Sequence, residues 1–262
     1  TKATDYALVV LGRTAGEDKD NKNLPGSYQL TEQEEDMLAK VRAAFPKMVV
    51  VLNVGNIIDM SFVDRFSPDA VLYAWQGGMV GGYGTVDVLT GAVNPSGKLP
   101  DTIAYHIEDY PSDCNFGNVD CDVYEEDIYV GYRYFETVAK DKVRYPFGFG
   151  LSYTTFAMET KNITYTESEV LLDVCVKNTG ACSGKEVVQI YVSAPQGKLG
   201  KPAKVLAGFG KTKELSPKEE QILHFEIPFY AFASYDEAVV TVNESGTVTA
   251  VGEGETGIEV TC

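Results

Sequence analysis

Two apolar runs, Tyr6–Leu11 (YALVVL) and Met48–Val54 (MVVVLNV), leave little freedom in what the first part of this chain can fold into. The first reads as a buried strand. The second is β-branched and unalternating, as expected of a strand covered on both faces, which is the habit of parallel sheets. Parallel neighbours need a crossover between them. The intervening sequence supplies one, because Thr31-Glu32-Gln33-Glu34 fits a capping box, predicting a helix through about Phe45 with Pro46 as its stop. A short helix is expected around Ser61–Phe66, a third strand over Ala70–Trp75, and a helix through Leu89 after the glycine-rich Gly77–Gly84. A further strand is expected near Lys98–Ala104, after the turn Asn94-Pro95-Ser96-Gly97. Strand and helix in alternation predict a mostly parallel α/β sheet.

The texture then changes twice. Residues from about 105 to 150 lose periodicity and carry acidic, aromatic and cysteine residues, which reads as an irregular connection. From Ser152 onward, strands alternate polar with apolar residues, as in Val170–Val176, Glu186–Val192 and Ile222–Ile227, with a polar turn at Asn178-Thr179-Gly180. That pattern predicts an antiparallel β-sandwich without catalytic residues. The expected division is 1–150 and 151–262, two domains in a chain of 262 residues that is 44% hydrophobic and has ample material for a core.

Charge removes whole classes of partner. Thirty-eight acidic against twenty-two basic residues give a net charge of −16. A phosphate backbone or an anionic bilayer surface needs the opposite, so neither nucleic acid nor membrane is an expected partner. No apolar run reaches the ~18 residues of a spanning helix. Five cysteines, none spaced as CxxC, read as small half-buried thiols in a reducing compartment, which favours a cytoplasmic location.

Several candidate chemistries fail on spacing. Gly77–Gly84 lacks both the G-x-G-x-x-G pattern and a Walker lysine, so close helix–strand packing explains its glycines better than a nucleotide does. Asp18-Lys19-Asp20-Asn21-Lys22 opens like a calcium loop, but Lys22 stands where a ligand is needed. His106 and His224 fall in different domains, which argues against a histidine metal site or a Ser-His-Asp triad. Asn162-Ile163-Thr164 and Asn243-Glu244-Ser245 match a glycosylation acceptor, a pattern short enough to arise by chance. No metal or cofactor is expected. What remains is Gly12–Asp20, the loop directly after the first strand, where open α/β sheets bind ligands. It carries Glu17 and Asp18, with Arg13 beside them. Composition alone favours reading it as a solvated acidic loop.

The residues of that loop, Gly12-Arg13-Thr14-Ala15-Gly16-Glu17-Asp18, resemble the acid/base loop of glycoside hydrolase family 3. Val54-Gly55-Asn56-Ile57-Ile58-Asp59 is similar to the family's next βα turn. Asp87–Gly91 through Asn94-Pro95-Ser96-Gly97-Lys98-Leu99 resembles its ADVLxGxxNPSGKL signature. Asp127–Phe135 and Tyr145–Tyr153 resemble its connecting segments, and the β-rich remainder its fibronectin-III-like domain, down to Gly184–Tyr191 and on to about Glu237. These motifs occur in family order. Two departures stand out: Val80 where the family usually has Glu, and Val239–Cys262, which is similar to the closing hairpin of bacterial Ig-like modules.

The resemblance implies a partial α/β sandwich, about half of the family's six-strand domain, followed by a fibronectin-III/Ig-like sandwich. The implied activity is that of a retaining β-glycosidase, β-glucosidase-like, acting on β-linked oligosaccharides or glycosides. Glu17 would be the acid/base, with Arg13 and Asp18 as substrate-loop candidates. The nucleophile would belong to a barrel domain that this sequence does not contain, so the isolated chain is expected to be inactive and to be a piece of a longer polypeptide. The missing strands imply an uncovered sheet edge or face, and hence self-association. A non-catalytic carbohydrate- or protein-binding remnant is the alternative.

Overall fold

The computed structural model describes residues 4–14, 20–121, 123–194, 200–228, 240–242, 248–250 and 257–261. It separates into two compact units, Thr1–Ala92 with Ala104–Glu125, and Val93–Ile103 with Glu126–Cys262. The texture of the sequence changes near Gly150; compactness instead groups 93–103 and 126–150 with the β-rich remainder.

The first unit is built on three parallel strands in the order β1 (Tyr6–Gly12), β2 (Lys47–Asn53) and β3 (Ala70–Tyr73). Register runs from Tyr6 opposite Lys47 to Gly12 opposite Asn53, and from Val49 opposite Ala70 to Leu52 opposite Tyr73. In β2, Met48, Val50, Val51 and Leu52 are all buried, as its unbroken apolar run predicts. β1 differs from expectation. Val9 and Leu11 are buried, but Tyr6, Leu8 and Val10 are 67%, 56% and 57% exposed. The physical reason is coverage: one face of β1 packs on the unit's core, and among the described residues nothing covers the other. Successive side chains of a strand point to opposite faces, so exposure alternates even where the sequence does not.

The crossover is the capped helix α1 (Glu32–Ala44). Thr31 Oγ1 accepts from the Glu34 backbone N–H at 3.2 Å, and the Glu34 carboxylate accepts from the Thr31 N–H at 2.8 Å. α1 buries Leu38 completely, and α2 (Phe62–Phe66) buries Phe62. Asp69 ties the far ends together. Its carboxylate accepts from Lys47 Nζ (2.8 Å), the Met48 N–H (3.0 Å) and Arg42 Nη1 (2.9 Å), joining the end of α1 to the starts of β2 and β3. These donors hold the Asp69 carboxyl well below the usual carboxylate range.

The glycine-rich segment leads into α3 (Gly81–Thr90), none of whose residues is buried. A Cβ on Gly81, Gly82 or Gly84 would meet nothing within 4 Å, which corrects the expectation that close packing selects glycine there. Only Gly77 is crowded, against the Gly81 backbone. The strand expected over Lys98–Ala104 shrinks to β4 (Ile103–Ala104). The irregular connection is also more ordered than its composition suggests, containing α4 (Tyr132–Val138) and β5 (Val143–Tyr145). Thiols are another correction: among the described cysteines, Cys114, Cys121 and Cys182 are exposed, Cys175 is buried, and none is in a disulfide.

The second unit is a β-sandwich. One sheet has the order β10 (Glu220–Pro228), β7 (Glu169–Asn178), β6 (Phe156–Tyr165); the other has β13 (Gly257–Thr261), β8 (Val187–Ser193), β9 (Val205–Lys211). All these pairings are antiparallel. A short hairpin, β11 (Val240–Val242) with β12 (Val248–Ala250), stands apart. Inward residues of β7, β8 and β10, including Val170, Leu172, Val174, Val176, Ile190 and Ile227, form the core with Leu215. At the end of β7 the fully buried Asn178 side chain is saturated. Its Oδ1 accepts from Thr154 Oγ1 (2.8 Å) and the Gly180 N–H (3.0 Å), and its Nδ2 donates to the carbonyls of Cys182 and Leu215 (both 2.8 Å).

Two stability outcomes follow. Asp69→Asn lowers the melting temperature at neutral pH. Because the folded-state pKa lies below the ordinary 3.8, the native contribution is present above that value and fades as pH falls toward the folded-state pKa. Thermal unfolding at pH 7, 5 and 3 should therefore show parent and variant converging in acid; a constant gap would contradict this account. Separately, the open face of β1 is expected to drive concentration-dependent association of the isolated chain. Sedimentation velocity should show it weakened by Leu8→Lys, and a monomer at all concentrations for the parent chain would refute it.

Candidate active site at the carboxyl edge of the parallel sheet

Because β1, β2 and β3 run in the same direction, the segments that follow them emerge at one edge of the sheet. These are the segment beginning at Arg13, the turn Val54–Met60, and the stretch from Ala74 into the glycines. Backbone bonds extend the order past the strands: the Arg13 N–H donates to Asn53 O at 3.1 Å, and the Ala74 N–H to Leu52 O at 2.9 Å.

Arg13 is where the sequence places it, and its donors face inward. Nη1 and Nη2 meet the two Glu34 carboxylate oxygens at 2.6 and 3.0 Å, a bidentate pair whose side chains are only 10% and 19% exposed. Nη1 also reaches Gly12 O (2.8 Å), Nη2 reaches Gln29 O (3.2 Å), and Nε reaches Ser27 O (3.0 Å). Burial alone would raise the Glu34 carboxyl; hydrogen bonds from Arg13 and Thr31, with the Arg13 charge, bring it below the ordinary range. The other two candidates of this loop, Glu17 and Asp18, lie outside the described residues. Beyond them, Asn21 Nδ2 donates to Ile57 O at 2.9 Å, and Ser27 Oγ donates to Asn21 Oδ1 at 2.8 Å while accepting from the Lys22 N–H at 2.9 Å.

The second turn is fixed by Asp59, whose carboxylate accepts from the Ser61 N–H (2.8 Å) and Ser61 Oγ (2.6 Å), and whose N–H donates to Tyr28 O (2.8 Å). Tyr28 is buried beside Tyr110, Asp59 and Glu108. Burial first, and those neighbouring groups second, push its phenol well above the ordinary tyrosine range, so it stays protonated. In the third segment Trp75 adopts a left-handed backbone with φ 55°, rare for a bulky residue. Its ring lies 4.4 Å from that of Tyr73, whose hydroxyl donates to Asn56 O at 2.8 Å. Sequence reasoning expected strand through Trp75 and missed this turn, for which the following glycine pair was the available signal. Val80 is 66% exposed and next to Met79, which is fully exposed.

The signature Asn94–Leu99 fastens the second unit internally. Asn94 Oδ1 accepts from Ser152 Oγ and the Tyr153 N–H, both at 2.9 Å, and its Nδ2 donates to Ser183 O at 2.9 Å. Lys98 Nζ forms a buried pair with Glu186 at 2.7 Å and donates to Gly150 O at 3.1 Å. Gly150 has no room for a Cβ, which would collide with Gly97 O. In the segment resembling the family's connection, Tyr132 stacks on Phe147 at 4.7 Å and its hydroxyl accepts from the Leu206 N–H at 2.8 Å. Among the described residues, no three His, Cys, Asp or Glu side chains converge as a metal site.

Comparison with known proteins agrees with this organisation. The family described as Glycosyl hydrolase family 3 C-terminal domain matches residues 1–153, and the Fibronectin type III-like domain matches residues 186–253. The second match runs past Val239, so most of the stretch expected to be Ig-like belongs to the fibronectin-like domain. The chain is 57% identical to a β-glucosidase of Ruminococcus albus over 252 residues, covering 96% of this chain but 26% of that protein. It is 47% identical to β-glucosidase A of Butyrivibrio fibrisolvens, covering 81% of this chain and 28% of that protein. Among solved structures it is similar to a β-glucosidase from Paenibacillus barengoltzii, with TM-score 0.85, 52% identity, and coverage of 89% of this chain and 26% of that one. It also resembles β-glucosidase 3B from Thermotoga neapolitana in complex with glucose, with TM-score 0.84, 35% identity, and coverage of 97% and 38%. The chain thus spans about a quarter of the length of the Ruminococcus albus and Paenibacillus barengoltzii enzymes. With its parallel sheet, its fastening signature and its trailing sandwich, the chain belongs to glycosyl hydrolase family 3, of which it carries the C-terminal α/β domain and a fibronectin type III-like domain.

Proposed function

We propose that this chain supplies the acid/base half of a retaining β-glycosidase, β-glucosidase-like, whose nucleophile stands on a barrel domain outside this sequence. The observation that carries the reading is the 57% identity to a β-glucosidase across 96% of the chain, with Gly12–Asp18 intact in sequence directly after β1. Retention needs two carboxyl groups about 5–5.5 Å apart on either side of the bond. Glu17 protonates the departing glycosidic oxygen as the nucleophile attacks the anomeric carbon. It then takes a proton from the water that releases the sugar. A β-linked oligosaccharide or glycoside is the substrate class, and no metal enters either step.

A general acid working near neutral pH needs a raised pKa. Asp18 and Asp20 place negative charge in the same loop, which favours the protonated form. Arg13 opposes them, and its own charge is paired with Glu34 at 2.6 Å.

The isolated chain is expected to hydrolyse no glycoside, because one carboxyl group cannot both attack and protonate. In the full-length polypeptide, Glu17→Ala should slow hydrolysis of alkyl glycosides by about 100- to 10,000-fold. Dinitrophenyl glycosides, whose leaving group scarcely needs a proton, should lose far less in the glycosylation step. Azide should restore turnover and yield a β-glycosyl azide. Equal losses across leaving groups without an azide product would return Glu17 to the status of a solvated loop carboxylate.

A further inference from the structure

We infer that Arg13, Ser27 and Asn21 form a clip that fixes the spacing of the two ends of the acid/base loop, with Glu34 as its anchor. The inference rests on the acid/base reading of Glu17. Glu17 lies four residues from each of Arg13 and Asn21, and both of these meet one residue, Ser27. The Ser27 carbonyl accepts from Arg13 Nε at 3.0 Å, and its hydroxyl donates to Asn21 Oδ1 at 2.8 Å. The same hydroxyl accepts from the Lys22 N–H at 2.9 Å, so both of its uses close the far end of the loop.

Arg13 itself has nothing left for a sugar. A guanidinium offers five N–H groups, and the five acceptors are Ser27 O, Gly12 O, Gln29 O and the two Glu34 oxygens. Arg13 therefore positions and does not bind. Glu34 is held in turn by the capping box at the start of α1, so the loop takes its reference from the helix. Asn21 takes a second reference from the β2–α2 turn through Ile57 O at 2.9 Å. A general acid must lie within hydrogen-bond reach of the oxygen it protonates, and a displacement of about 1 Å can cost on the order of 100-fold in rate. Holding both ends of the loop on one serine is the clip's contribution to that placement.

The test uses the full-length enzyme that carries this chain, with three variants compared with Glu17→Ala. Ser27→Ala deletes one hydroxyl. Glu34→Gln keeps the capping box, which glutamine also completes, and removes the charge that Arg13 pairs with. Arg13→Lys keeps a cation and loses the fork. Each should lower kcat for alkyl β-glucosides by about 10- to 100-fold, with dinitrophenyl β-glucosides close to the parent rate and KM little changed. A merely structural role predicts no such discrimination. If Glu17→Ala discriminates leaving groups but these variants slow all substrates alike, or none, the clip is overturned and the acid/base reading stands. If Glu17→Ala itself does not discriminate, both fall. Should Glu34→Gln or Arg13→Lys fail to fold, the milder Ser27→Ala decides.

Discussion

The bidentate contact between Arg13 and Glu34 is the junction on which the first unit turns. One carboxylate completes the cap of α1 and neutralises the guanidinium that follows β1. Helix start, strand end and the loop between them therefore share a single electrostatic reference. Such a partly buried pair is unforgiving: removing one partner leaves a charge in a poorly solvated place, which costs far more than an exposed pair is worth.

Much of this architecture is legible in the residues. The capping box at Thr31–Glu34 predicts α1 to within a residue, and the run Met48–Val54 predicts a central strand. β-Branched alternation likewise locates β7, β8 and β10. The failures have a common physical origin, in that position within the sheet is not written in local pattern. Tyr6–Leu11 is as apolar as a central strand, yet it stands at an edge with one face open. Trp75 has strand propensity, yet its backbone turns left-handed where the chain leaves the sheet. α4 escaped notice because its four large aromatic and charged residues, Tyr132-Arg133-Tyr134-Phe135, show no helical period over so short a span.

The candidate site divides along the same line. That a loop after β1 is the place to look follows from strand direction alone, and Glu17 as acid/base comes from resemblance. What neither supplies is the division of labour within the loop. Arg13, four residues before the first of two acidic groups that invite a ligand, is spent on holding backbone carbonyls and Glu34. Apart from the adjacent Gly12 carbonyl, its partners lie 14 to 21 residues away, a separation no local motif encodes. The signature Asn94–Leu99 shows the same lesson, since its Asn and Lys serve as fasteners within the second unit.

The saturated amide of Asn178 has a consequence for how the sandwich finds its register. β7 and β10 present Val174, Val176, Phe225 and Ile227 to the core, and sliding one strand by two residues would still put apolar side chains inside. Hydrophobicity alone therefore distinguishes poorly between the native alignment and its even-numbered neighbours. Asn178 does distinguish them. Its backbone bonds to Glu219 and Lys218 fix the end of β7 against β10, while its side chain meets Leu215 O, on the segment leading into β10, and Thr154 Oγ1, ahead of β6. Any slip would leave buried polar groups unpaired, at about 1–3 kcal/mol each. One polar residue at the end of an apolar strand thus acts as a keyed stop, rejecting alignments that the greasy face would accept.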